Sequence, residues 1–373
     1  MSIDRISLTH VRIPLVEPFR ISNGVVTEKD GIIVRVHADG LVGCGEASPM
    51  GGSFYSVDTP DSVWDALRQT IVPAVIARQP EDAAQANNLL QGLGGSPFAL
   101  AGVETAFMEL DALRRNEPLF RTLGGKEKSV ECGLAMGIYE SIDELLRSID
   151  RHADLGYKRV KIKIQPGWDR EPLHEIRKRF GSIPLMVDAN CAYTRQDIDH
   201  LRTLDEFDLM MIEQPLARED LDGHAMLQSV ISTPVCLDES AENIDQVTEA
   251  IRKGSCKIVN IKIQRVGGLA NALAVHDVCA EMGVPVWAGT MPELGIGGAQ
   301  TVHLATLANF TFPTDVEAST RWFVEDIIDP AIDVHDGMIT IPVGTGNCYR
   351  LREDILEKYS VREELFISEH RTA

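Results

Sequence analysis

Two lysines stand two residues apart in "KRVKIKIQPGW" (158–168), and three carboxylates and a third lysine follow at nearly constant intervals. In chain order the charges are Lys163, Asp188, Glu213, Asp238 and Lys262, separated by 25, 25, 25 and 24 residues. Each follows or ends a short apolar run that ought to be interior. Three carboxylates gathered in an interior cannot all stay ionised without a cation. An all-oxygen donor set, with no His or Cys, selects a hard ion. Mg2+ suits it best because that ion keeps positions open for substrate oxygens, and Mn2+ can substitute. The metal ligands read from the spacing are therefore Asp188, Glu213 and Asp238. A single Asp at such a place is more often a helix cap or a loop residue. Three in one register, with lysines before and after, are poorly explained that way.

Lys163 and Lys262 bracket the carboxylates. A lysine becomes a base at neutral pH when burial and nearby positive charge lower its pKa from about 10.4 to roughly 7–8. Strand side chains alternate faces, so Lys161 points the same way as Lys163 and supplies that charge. Val160, Ile162 and Ile164 point the other way. A cation gripping a carboxylate, with an amine beside the adjacent carbon, is suited to removing the proton α to that carboxylate. The ene-diolate that results gains more from the cation than the ground state does.

Elements must hold these groups in place. From about residue 130, Val/Ile/Leu/Met-rich runs recur at 130–138, 159–164, 183–190, 208–215, 234–240, 257–263, 284–290 and 310–317, mostly separated by helix-length segments. Near-continuous apolar strands alternating with helices indicate a parallel sheet buried on both faces. Eight such units predict a (β/α)8-type barrel, whose catalytic groups gather at the C-terminal ends of the strands. A doubly wound sheet is the competing architecture, but the GxGxxG that usually follows its first strand is missing. Before 130 the pattern is α+β. Strands are expected at 3–14 and 31–47, with a turn at "ADG" (38–40), and helices at 61–77, 82–92 and 96–118. Ser96 is placed to cap the last helix and Pro97 to occupy its first position.

Bulk properties exclude several classes. The chain has 373 residues, 56 acidic against 36 basic, and a net charge of −20. That argues against nucleic-acid and anionic-membrane surfaces, which need basic patches. Seven cysteines without a CxxC pair read as reduced thiols. No signal-peptide h-region and no membrane-length apolar run are found, so a cytoplasmic protein is expected. A small carboxylate substrate and a homo-oligomer are the partners expected.

Taken in order, "KIK" (161–163), "VDAN" (187–190), "IEQP" (212–215), "LDES" (237–240) and "NIKIQRVGG" (260–268) resemble the strand-end motifs of the enolase superfamily, muconate-lactonizing subgroup. "KIQPGWD" (163–169), "GTMPELGIG" (289–297) and "STRWFVEDI" (319–327) are similar to its o-succinylbenzoate synthase and N-acylamino acid racemase branch. The resemblance covers essentially the whole chain. It implies a (β/α)7β TIM-type barrel over 126–329, with an α+β capping domain made of 1–125 and completed by about 330–373. It implies Lys163 and Lys262 as the acid/base pair, and Asn190 and Glu239 as supports of the ligands. Met291 and Glu293 fall where substrate is contacted, although an acid like Glu293 also suits a helix N-terminus. Cap loops at 17–24 and 47–56, rich in Gly and Ser, would close over the substrate's distal part.

The chain departs from the branch at "IQR" (263–265) and "PEL" (292–294), positions that bear on the substrate. Asp315 and Glu317 stand where dipeptide epimerases carry a D-x-D that holds the substrate ammonium. The readings left open are dehydration to o-succinylbenzoate, as in the menaquinone pathway, and racemisation of N-acylamino acids such as N-succinylamino acids. Dipeptide epimerase and muconate cycloisomerase-like chemistry remain, as does a metal-binding relative without catalysis. Arg265 either tunes Lys262 or pairs with a surface acid. His224 and His276 read as helix-packing or solvated residues, and Met210 and Met211 as core.

Overall fold

The structure, a computed structural model, describes residues 1–21, 24–51 and 56–368. The N-terminal part forms an antiparallel sheet from β1 (Ile3–Ile21), β2 (Gly24–Ala38) and β3 (Leu41–Ala47). Its second turn places Asp39 and Gly40 at φ 52° and 77°, a pairing that matches the twist of the flanking strands. The first hairpin is longer than the apolar pattern predicts. Ile13 pairs with Lys29 and Pro14 with Glu28, and the ladder resumes at Phe19 and Val26. Backbone bonds carry it through the polar run "TEKD", which strand propensity does not favour.

Helices over 60–78, Ala83–Leu93 and Pro97–Arg114 cover one face of this sheet. Ser96 caps the last of them, accepting from the Ala99 N–H. That helix lies directly on β3, where a Cβ at Gly45 would sit 2.0 Å from the Gly102 carbonyl oxygen. Only glycine permits that approach.

The central sheet is parallel, with seven strands in chain order: after β4 (Ser129–Glu131) come β5 (Leu134–Met136), β6 (Val160–Lys163), β7 (Leu185–Asp188), β8 (Ile212–Glu213), β9 (Val235–Leu237), β10 (Ile258–Ile261) and β11 (Val286–Ala288). The expected eighth strand at 310–317 is not a regular strand, because Pro313 has no N–H to continue a ladder. It still closes the barrel. Thr311 and Asp315 donate to Val286 and Ala288 on one side, both at 3.1 Å. On the other, Thr314 donates to Glu131 and accepts from Gly133, both at 2.9 Å. The fold is thus the (β/α)7β barrel with a capping sheet, not eight equal units.

Alternation along the strands sorts the side chains. Val160, Ile162, Ile164, Val187, Ile212 and Val259 face the surrounding helices in the largest apolar cluster. Met186, Met211, Cys236, Ile258 and Trp287 form a separate apolar floor, with Met210 partly buried against it. The next inward positions after Met186, Met211 and Cys236, toward the strands' C-terminal ends, are Asp188, Glu213 and Asp238. The chain closes with β12 (Ile328–Asp329), β13 (Met338–Thr340), β14 (Arg350–Leu351) and β15 (Ser360–Ile367). β12 pairs with β14, β13 returns to β4, and β15 joins the edge of the N-terminal sheet beside β1. All seven cysteines are free thiols. Among the described residues no helix is long and apolar enough to cross a membrane.

Candidate active site

Parallel register puts Lys163 beside Asp188 and Asp188 beside Glu213. β9 and β10 pair Leu237 with Val259, so Asn260 lies level with Asp238, and Lys262 stands one inward position higher. The row is nearly sealed from solvent, with Asp188, Glu213 and Asp238 exposed by 1% or less.

Each carboxylate faces a cation. Lys163 donates to Asp188 Oδ2, and Lys262 to Asp238 Oδ2 at 2.8 Å. Lys161 donates to Glu213 at 3.3 Å, lies 3.7 Å from Asp188, and is bonded most closely to Asp315. Arg265 reaches inward rather than to a surface acid. Its Nη1 pairs with Asp238, and it also donates to the carbonyls of Asn260 (2.6 Å) and Ala241 (3.1 Å). Asn260 bridges two carboxylates, donating to Glu213 at 2.7 Å and Asp238 at 3.0 Å. Asn190 gives its backbone N–H to Asp188 and its amide to Glu239, both at 3.0 Å.

The electrostatics follow from this crowding. Burial and the neighbouring Asp188 and Asp238 push Glu213 up to about 8, against the pull of Lys161 and Lys262. Burial also acts on Asp238, but Arg265 and Lys262 outweigh it and hold that carboxyl well below the ordinary range. Burial alone would lower Lys161; Asp315, Glu213 and Asp188 reverse the effect and raise it, so its charge is retained.

Among the described residues no three acids, histidines or cysteines stand as a finished metal shell. The carboxylates are each turned to a lysine. The donor set nonetheless fits a hard divalent ion. It is all oxygen, and Glu213 is buried beside Asp188 and Asp238, a crowding of like charges that a divalent cation would offset. Buried oxygens of Asn190 (Oδ1) and Glu239 (Oε2) have no hydrogen-bond partner among the described residues.

Above the three lysines is a cavity walled by Phe19, Ile21 and Met50 from the N-terminal sheet and its loops, and by Met291 and Trp322 from the barrel. Phe19 packs edge-on against Trp322 at 4.9 Å. Of the expected cap loops, Ser22, Asn23 and residues 52–55 lie outside the described residues. Glu293 sits behind Met291, accepting its N–H at 3.1 Å. Asp315 and Glu317, weighed as a substrate clamp, are bonded within the protein. Asp315 is held by Lys161 and Arg159, and Glu317 accepts from the Ala135 N–H at 2.8 Å. His224 and His276 pack in helices, His276 stacked on Phe310.

Sequence reading passed over three members of the site. Asn260 was within reach of it, since it precedes Lys262 by two on the same strand face. Trp287, whose ring lies 4.9 Å from the Lys161 ammonium, and Arg159, 5.2 Å from the same ring, carried no motif signal.

Comparison with known proteins identifies the family and the fold. Residues 4–124 match the family model described as mandelate racemase/muconate lactonizing enzyme, N-terminal domain, and residues 144–355 the one described as enolase C-terminal domain-like. The chain is 41% identical to an o-succinylbenzoate synthase of Geobacillus kaustophilus, across 100% of this chain and 99% of that one. It is 42% identical to an N-succinylamino acid racemase of Amycolatopsis sp, across 93% and 94%. A crystal structure of an enolase superfamily member from Listeria innocua superposes with a TM-score of 0.94 at 34% identity, covering 98% of this chain and 99% of that one.

Proposed function

The chain belongs to the enolase superfamily, in its muconate-lactonizing subgroup, and on that premise we propose that it removes the proton α to a carboxylate, acting as an o-succinylbenzoate synthase, an N-succinylamino acid racemase, or both. In this reading residues 1–125, completed by about 330–373, are the cap, and 126–329 the barrel that carries the site. Asp188, Glu213 and Asp238 would hold Mg2+ or Mn2+. Such a cation, when bound, supplies the positive charge that favours an ene-diolate over its parent carboxylate.

The observation that carries the proposal is the placement of the two lysines. Lys163 and Lys262 come from strands on opposite sides of the carboxylate row, and both line the cavity. An α-carbon held between them offers one face to each. In racemisation one lysine takes the proton and the other returns one to the opposite face. In dehydration one lysine takes the proton while the other, as an ammonium, balances developing negative charge, and hydroxide leaves the β-carbon. Lys161, kept charged by its carboxylates, acts as a stationary cation. Asn190, Glu239, Met291 and Glu293 are assigned supporting or substrate-facing places. Epimerisation of dipeptides is the weaker reading, because Asp315 is already engaged by Lys161 and Arg159.

The test uses both substrate types with the purified enzyme and added Mg2+. Lys163→Ala and Lys262→Ala should each abolish racemisation and elimination, a loss of about 100-fold or more. Each variant should still exchange the α-proton of one enantiomer, and not the same one, with solvent deuterium. Exchange of both enantiomers in either variant would refute the two-face assignment.

A further inference from the structure

Lys29 is 1% exposed, an unusual place for a lysine, and among the described residues no carboxylate is bonded to it. Its ammonium instead gathers three backbone carbonyls: Ser48 at 3.0 Å, Pro49 at 3.2 Å and Met291 at 3.5 Å. The first two belong to the segment after β3, and the third to the segment after β11. The residue following Pro49 is Met50, so the two segments that meet at Lys29 carry Met50 and Met291, both of which line the cavity over the lysines.

Everything around the ammonium reinforces that junction. Glu46 accepts from the Leu294 and Gly297 N–H groups and from the Ser48 hydroxyl, each at 2.8 Å. Glu293 accepts from the Met291 N–H. Gln264, two residues after Lys262, accepts from the Ser48 N–H at 2.9 Å and donates to the Glu46 carbonyl at 2.8 Å. Burial disfavours the charged form of Lys29, while Glu46, Glu293 and Asp30 favour it. Three segments that carry Met50, Met291 and Lys262 thus share one buried polar knot, and Lys29 is the donor that bonds both N-terminal and barrel carbonyls. A lysine kept only to complete the N-terminal sheet would not need to reach Met291, 262 residues away.

We propose that Lys29 is a positioning residue for substrate binding, setting the gap between Met50 and Met291 by holding the Ser48, Pro49 and Met291 carbonyls together. The assignment rests on the proposed function, since it concerns the same cavity. Lys29 touches neither the carboxylate row nor Lys163, so its removal should loosen the pocket and leave proton transfer intact.

The experiment compares wild type with Lys29→Met, which keeps the length of the side chain and removes the donor, and with Lys29→Gln, which restores one donor. Folded fraction is measured alongside by circular dichroism. The expected result for Lys29→Met is a KM for the N-succinylamino acid or for the o-succinylbenzoate precursor raised about tenfold, with kcat within about threefold. Deuterium exchange at saturating substrate should persist, and Lys29→Gln should recover part of the KM. An unchanged KM, or a kcat loss that follows the unfolded fraction, would overturn the proposal. So would failure of both variants to fold, which would make Lys29 a folding residue. A wild type that converts neither substrate would refute the proposed function instead, and the two failures are read from different proteins.

Discussion

Lys161 has more acidic partners than a lysine needs to be held in place. Asp315, Glu213 and Asp188 all lie within 4 Å of its ammonium, and the face of Trp287 lies beneath it. Such surroundings suit a permanent cation rather than a proton acceptor, the role proposed for Lys163 and Lys262. Arg265 and Lys262 share Asp238 in the same manner, one on each oxygen. In the proposed site, neutralising a carboxylate in this row would weaken an oxygen ligand of the cation and free a lysine at once. Asp188→Asn, Glu213→Gln and Asp238→Asn should each weaken Mn2+ binding at least about tenfold, read by calorimetry, and reduce turnover by about 100-fold or more. Exhaustive chelation should abolish activity while the far-ultraviolet spectrum stays unchanged. Full activity in a metal-free sample would end the mechanism.

Three buried carboxylates join one element to another. Glu46 accepts N–H groups at the start of the helix Gly295–Leu304, and Glu104 those of Leu269 (2.6 Å) and Ala270 (3.0 Å) at the start of the helix Leu269–Glu281. Glu109 takes the N–H groups of Cys44 (2.6 Å) and Asn347 (3.1 Å). Burial pushes all three up to about 7, although the N–H bonds resist it. Their folded pKa lies above the unfolded value of about 4.3. The unfolded chain therefore releases these protons first as pH rises, and stability falls between about pH 4.5 and 7.5. Each group accounts for a change on the order of 3 kcal/mol at most. The melting temperature should therefore increase as pH is lowered from 8 to 6. Glu104→Gln, which cannot titrate, should flatten part of that slope, and an identical slope in the variant would show that Glu104 does not contribute.

At the scale of the whole molecule the two ends of the chain share one sheet. β15 pairs with β1 from Arg5–Ile367 to His10–Arg362, with a shift in register at Val11. Arg362 fastens the junction: it donates to His10 at 3.2 Å and to Asp61 at 2.8 Å, and its guanidinium lies 4.6 Å from the Trp64 ring. The strand that carries Phe19 to the cavity is the one β15 supports. Deleting residues 360–373 should lower the melting temperature by about 5 °C or more and raise KM for either substrate. Wild-type melting in the truncated protein would show that β15 is dispensable.

Sequence alone determined the ladder, because two periodicities encode it locally. Alternation along a strand put Lys161 and Lys163 on one face, and the repeat of 24–25 residues put Lys163, Asp188 and Glu213 side by side. Those rules need no knowledge of distant contacts. Asn260 obeyed the same alternation and was legible there too. Closure of the sheet decided the rest. Whether 310–317 formed a full strand depended on Pro313 meeting two neighbours, one of them the segment before β5. Asp315 became the partner of Lys161, 154 residues away, only because that closure brought it across the barrel mouth. The walls at Phe19, Met50 and Met291 likewise required the N-terminal sheet to dock. Apolar patterning states which face of an element is buried; it does not state which distant backbone carbonyls a buried lysine will reach.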